Sequence, residues 1–197
     1  MKRLILTAGL LLFGFSGVAI AVDEAEEERE HDGVLLPRHV EVGGTELGLN
    51  GAGTRRAFFR NFYVGALYLP EPMNDAGQIM GIHPPHRIAL HFIRDVSESR
   101  MRDAIQDGFE DNTDAEELEE LEDKIAQFRE LISAPRERDR FYFDYDPERG
   151  TIVSINDEEQ GVIEGASFNL AVMRIFIGEN PADDDLRDGM LGLTDME

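Results

Sequence analysis

The chain has 197 residues and carries 41 acidic against 19 basic side chains, a formal net charge of −22, with no cysteine. That balance excludes nucleic acid as a partner, because phosphates would be repelled. The missing thiols exclude disulfide stapling and thiolate chemistry. The length suits one domain large enough to bury a core of its own.

The first element is a targeting segment. Met1-Lys2-Arg3 precedes an apolar run from Leu4 to Val18, and Ala19-Ile20-Ala21 follows. A basic start, an apolar centre and small residues at an A-x-A site make a secretory signal at 1–21, cleaved near Ala21. The run is shorter than the span of about 20 residues a membrane helix needs, and it contains three glycines. The expected mature protein is periplasmic or secreted and has no membrane span. Cleavage removes Lys2 and Arg3 and no acid, leaving Lys124 as the sole lysine. Such an acidic surface repels itself at low ionic strength and is screened at high. It reads as the mark of a halophilic source, with an ordinary acidic periplasmic protein as the plainer alternative.

Residues 22–33 are acidic and lack an apolar period, which predicts a disordered lead. The domain is expected over 34–192, with a short tail at 193–197. Val40 and Val42, then Leu47 and Leu49, alternate around Gly43-Gly44 and predict a hairpin. After the glycine turn Asn50-Gly51-Ala52-Gly53, residues 57–69 read as one long buried strand. Residues 70–81 read as a loop with a single helical turn, and 87–93 as a strand.

Two helices follow. Met101, Ala104, Ile105 and Phe109 share one face. Leu118, Leu121, Ile125, Phe128 and Ile132 form the second stripe, opened by a capping box of Thr113 and Glu116. Phe141, Phe143 and Tyr145 alternate, as do Val153 and Ile155 beyond a turn at 147–150, giving another hairpin. Gly161 and Gly165 break the chain. Ser167 then opens a helix, 168–177, apolar almost all round and therefore buried. Asp183-Asp184-Asp185 starts a last short helix. The pattern predicts an α+β domain with a largely antiparallel sheet.

Few constellations carry chemistry. His83-Pro84-Pro85-His86 lacks the further ligands of a metal site, and Asp144, Asp146 and Glu148 lack a calcium-loop spacing. No metal and no cofactor are expected. No catalytic motif announces itself. One region stands out: Gly51-Ala52-Gly53-Thr54-Arg55 delivers an arginine to the edge of an aromatic strand, Tyr63 to Leu69. A guanidinium at the mouth of an apolar pocket suits a carboxylate or enolate oxygen on a greasy ligand.

Here the chain resembles the chalcone isomerase-like family, in its bacterial exported branch. Gly51–Arg55 with Tyr68-Leu69 is similar to the family's opening. Phe176-Ile177-Gly178-Glu179 followed by Leu186-Arg187 is similar to its closing segment. Gly150-Thr151, Gly161 and Phe168 also fit. The resemblance implies an open-faced β-sandwich, a large antiparallel sheet covered by a layer of helices, with a cleft between them. Plant members close a flavanone ring there, and related non-catalytic members bind fatty acids through arginine and tyrosine.

Carried over by position, Arg55 takes the place of the family's oxyanion-binding arginine. Tyr63 replaces the strand threonine. Arg100, Asp103 and Asp107 stand where the catalytic tyrosine, lysine and asparagine are found, and Ile175 replaces a second threonine. The resemblance thus implies a ligand cleft lined by Arg55, Tyr63, Tyr68, Arg100 and Ile175. It favours a non-catalytic binder of a small apolar acid. One alternative is an isomerase or intramolecular lyase acting on an enone. There Arg55 would be the electrophile, and Tyr63 the acid, its pKa lowered by the arginine. The other alternative is a structural or partner-binding envelope protein using the charged helix 115–132.

Overall fold

The computed structural model describes residues 28–194. The predicted export signal, residues 22–27 of the acidic lead and residues 195–197 lie outside the described residues.

Among the described residues, nine strands and five helices occur in the order β1 (Glu28–His31), β2 (Val34–Pro37), β3 (His39–Val42), β4 (Thr45–Ala57), β5 (Arg60–Leu69), α1 (Ala76–Ile82), β6 (His86–Phe92), α2 (Glu98–Asn112), α3 (Ala115–Leu131), β7 (Arg140–Asp146), β8 (Gly150–Ile155), β9 (Glu158–Ile163), α4 (Ala166–Ile177) and α5 (Asp184–Met190). Strands β3 to β9 form one antiparallel sheet in sequence order, and β1 and β2 form a separate hairpin. The sheet curls until β3 meets β7, with Gly43 lying against the Asp146 carboxylate.

Strand alternation gives the sheet two buried faces. One carries Leu67, Leu69, Leu90, Phe92, Phe141 and Phe143 and is covered by the helices. The other carries Ala52, Val64, Ala66, Tyr68 and Ala89 beneath Leu36 of the β1–β2 hairpin. Helix α4 is the spine of the helical layer: eight of its residues, from Phe168 to Ile177, are buried. A buried phenylalanine or isoleucine contributes about 1.5–3 kcal/mol, so this all-round burial makes α4 the element the other helices pack on. Its one buried amide, Asn169, is satisfied by His83 Nε2 at 2.8 Å and by donation to Thr151 Oγ1 at 3.2 Å.

Helix α5 is seated by glycines. A Cβ on Gly53 would stand 2.7 Å from the Leu186 carbonyl oxygen, and one on Gly189 would strike the Ala52 carbonyl. The Gly51-Ala52-Gly53 turn of the sequence is therefore the bed of α5, lying within β4 rather than forming a loop.

Several expectations change. Residues 28–31 are not disordered. They pair with β2, Arg29 opposite Leu36, because Asp32 and Gly33 at positive φ close a two-residue turn. The strand expected over 57–69 begins at Arg60, since Phe58 and Phe59 make the β4–β5 turn. Residues 76–82 form α1, started by Asp75, whose side chain accepts from the Gln78 amide at 2.7 Å. Gly161 does not break the chain but lies in β9, paired with Val153. The cap of α3 is Asp114, accepting from the amides of Glu116 and Glu117, and not Thr113. Helix α4 starts at Ala166, one residue before Ser167 and with no side-chain cap.

Candidate functional site

A cavity of about 620 Å³ lies between the helix-covered face of the sheet and helices α2 and α4. Tyr63, Leu90, Phe92 and Phe143 form its sheet wall, and Met101, Ile105, Ile175 and Phe176 its helical wall. These side chains reach one space because positions two apart on a strand share a face, while positions three or four apart share a helix stripe. The volume falls within the roughly 300–1,000 Å³ of ordinary small-molecule sites.

Polar residues collect at the mouth. Arg55 on β4 and Arg100 on α2 line it, as do Asp103 and Asp107 one and two turns further along α2. Arg100 is exposed and has no ion pair among the described residues. Arg55 is held. Its Nη1 donates to Asp183 Oδ2 at 3.1 Å and to the Arg56 carbonyl at 2.7 Å. Asp183 is the N-cap of α5: its Oδ1 accepts from the Leu186 amide at 3.0 Å, and its Oδ2 also accepts from the Arg56 amide at 3.1 Å. One carboxylate thus caps a helix, ties it to β4 and balances the arginine. With its partner 128 positions away in sequence, this pairing leaves no local signal. The Asp183–Asp185 run reads as a helix start, which it is, and nothing more.

Four of the five expected lining residues meet here: Arg55, Tyr63, Arg100 and Ile175. Tyr68 does not. An odd separation from Tyr63 along β5 turns it to the other face, where it is buried beside Ala66 and Ala89. It neighbours Arg87, which grips Asp144 through Nε and Nη2, each at 2.6 Å, and covers the Tyr142 ring at 4.7 Å. That ion pair belongs to the second core and does not face the cavity.

Tyr63 packs against Phe92 at 5.3 Å between ring centroids. Burial pushes its phenol above the ordinary tyrosine range. Arg55 pulls the other way and loses, and Asp183 adds to the rise. The expected lowering by arginine is therefore reversed. Desolvation dominates, and the pairing of Arg55 with Asp183 blunts the cation. Tyr63 is a neutral hydrogen-bonding group at physiological pH, which removes the basis for Tyr63 as a tuned proton donor.

The histidine motif is structural. His83 stacks on Tyr145 at 4.1 Å while bonded to Asn169, and His86 donates from Nδ1 to the Pro84 carbonyl at 2.8 Å. Among the described residues no cluster of three or more His, Asp or Glu side chains could hold a metal ion. No described helix is long and apolar enough to cross a membrane.

No curated protein matches the chain. Among solved structures, a fatty-acid binding protein of Arabidopsis thaliana superposes with a TM-score of 0.64 at 15% identity, covering 84% of this chain and 96% of that one. The likeness is one of fold. A family model described as chalcone isomerase-like matches residues 28–192, taking in β1, the whole curled sheet and all five helices. The chain belongs to the chalcone isomerase-like family.

Proposed function

We propose that the protein is an exported, non-catalytic carrier of a small apolar acid of the fatty-acid type, working in the cell envelope. Its acyl chain would fill the cavity, and its head would lie at the arginine edge. One observation carries the reading: the cavity is walled by aromatic and aliphatic side chains and has Arg55 and Arg100 at its mouth. Each methylene moved from water into such walls is worth about 0.8 kcal/mol, so a chain supplies affinity without chemistry. The fold neighbour named above, a fatty-acid binding protein, is consistent with this use of the fold. Asp103 and Asp107 make a negative edge along α2, which turns an anionic head away from themselves and toward Arg55. Tyr63, held neutral, offers a hydroxyl to a carboxylate oxygen. The export signal predicted from the sequence at 1–21 is in keeping with an envelope location.

Titrating the delipidated protein with a long-chain fatty acid tests the proposal. Saturable one-site binding is expected, weakened about tenfold by Arg55→Ala, the order of one charge-assisted hydrogen bond. Asp183→Asn should bind more tightly than the natural protein, because it frees the guanidinium while keeping a capping side chain. Absence of binding, or equal affinity in Arg55→Ala, would overturn the reading.

A further inference from the structure

The β4–β5 turn is a hairpin tip of two residues, Phe58 and Phe59, with Ala57 paired to Arg60 across its base. Both phenylalanines sit at positive φ, 50° and 61°. Two-residue hairpin loops with both φ values positive favour Asn-Gly, because an L side chain at positive φ is strained and a bulky one most of all. Here the strained positions hold two of the largest apolar side chains. Their relative exposures are 87% for Phe58 and 107% for Phe59, so no packing in the fold repays the strain. An exposed, strained aromatic pair is a feature that folding alone would not retain.

The charge around the tip is also out of character with the rest of the chain. Arg56 and Arg60 flank the phenylalanines and are exposed, and the Arg94 Nε lies 3.4 Å from the Asn61 carbonyl. Arg100 lies on the rim of the same cavity that Phe58 lines. Asp32 contacts Arg56 at 3.6 Å and Asp183 holds Arg55, so those two charges are balanced, whereas exposed Arg60 has no ion pair among the described residues. Asp103 and Asp107 lie further along the cavity rim, so the basic character is confined to the tip itself, in a chain with 41 acidic residues.

We propose that this hairpin tip docks the protein on a lipid bilayer bearing anionic head groups. Phe58 and Phe59 enter the interface, and Arg60, which has no acid paired to it among the described residues, meets the phosphates. Aromatic side chains favour the head-group level, and each nearby arginine adds attraction to an anionic leaflet. Because Phe58 at the tip also borders the open mouth of the cavity, docking brings that mouth to the lipid. The acidic remainder of the surface is repelled by the same membrane, which fixes the orientation. The docking stands on the tip alone. Only the exchange of an acyl ligand at the docked mouth rests on the cavity reading.

Sedimentation of the full chain with phospholipid vesicles tests this, the apolar segment at 4–18 being common to every variant compared. Mixed phosphatidylcholine–phosphatidylglycerol vesicles should bind the natural protein, and pure phosphatidylcholine vesicles should bind it less well. Phe58→Asn with Phe59→Gly should weaken binding to mixed vesicles at least about tenfold, the worth of one buried phenylalanine. The same double variant should melt no earlier than the natural protein, because Asn-Gly suits the turn. Arg60→Glu should reduce binding to mixed vesicles only. Phe59→Gly alone should leave fatty-acid affinity in vesicle-free solution unchanged. Equal vesicle binding by the natural protein and the double variant, or no binding by either, would overturn the proposal. So would a natural protein that self-associates through the tip and ignores vesicles. Vesicle binding without fatty-acid binding would sink the cavity reading and leave the docking intact.

Discussion

His86 is fully buried, donates from Nδ1 to Pro84 and leaves Nε2 with no partner. Burial lowers its pKa from 6.5 to about 4. Protonation would place a charge beside the rings of His83 and Tyr145, 6.0 and 5.4 Å away between centroids. Above pH 6.5 both folded and unfolded chains hold this imidazole neutral, and its stabilising effect is fully present. Below 6.5 the unfolded chain takes up the proton and the folded chain does not, so stability falls until about pH 4. His91, also pushed down to about 4 by burial and by Arg140, acts in the same direction. Replacing His86→Leu should flatten the decline in urea-unfolding free energy over that window by about 1.4 kcal/mol per pH unit. An unchanged slope would mean that Nε2 finds a partner when the proton arrives. The sequence displays this histidine but not its environment, since nothing in His-Pro-Pro-His distinguishes a ligand from a stacked, buried ring. Arg55 was legible, because a glycine turn ending in arginine beside an aromatic strand is a local pattern. Its neutralisation by Asp183 was not, because the two residues are joined only by folding. Tyr68 was misplaced by the resemblance, although strand parity alone puts it opposite Tyr63.

At the scale of elements, what could be read depended on whether an element's own pattern or its neighbours' decided it. The α3 stripe and the β7–β8 hairpin carry their periods within themselves, and both stand as expected. Strand β9 does not: Glu158, Glu159 and Gln160 are exposed and Gly161 sits mid-strand, so it reads as a loop. It is a strand because β8 offers an open edge and α3 covers it, with Gln127 Nε2 donating to the Val162 carbonyl at 3.1 Å. Gly161 has a packing role too, because Leu131 occupies the space a Cβ would take. The seat of α5 follows the same logic and has a functional consequence. Gly53→Ala would drive a methyl into the Leu186 backbone, at 2.7 Å from its oxygen and 2.8 Å from its Cα, and neither atom can rotate away. We expect a destabilisation of about 1–3 kcal/mol, the usual range for overpacking. Because α5 carries Asp183, the Arg55 pairing should loosen at the same time. Thermal unfolding and fatty-acid titration of one variant read both effects. A lowered melting temperature with unchanged affinity would separate the seat from the site.

Across the whole molecule the excess of acids must be tolerated by a domain without a disulfide. Several of its arginines are held in ion pairs, as in Arg87–Asp144, Arg149–Glu159 and Arg174–Glu117. Pairs exposed like Arg149–Glu159 are worth about 0–1 kcal/mol each and weaken with salt. The surplus acids, 41 against 19 bases over the full chain, repel one another over longer distances and are screened by the same salt. The two effects oppose, and magnitude decides between them. The ion pairs are short-range and partly shielded from solvent ions by burial, whereas the repulsion runs through solvent across an entire surface. Raising the ionic strength from 0.15 M to 1 M shortens the screening length from about 8 Å to about 3 Å. That removes most of the repulsion and little of the buried Arg87–Asp144 attraction. The melting temperature should therefore rise by several degrees between low-salt buffer and about 1 M sodium chloride, most steeply at the low end where screening changes fastest. An equal osmolality of sucrose separates this from general exclusion effects: if sucrose matches the salt, charge is not the cause. A fall in melting temperature with salt would mean that the ion pairs outweigh the surplus, and that the acidic composition does not express self-repulsion in the folded state.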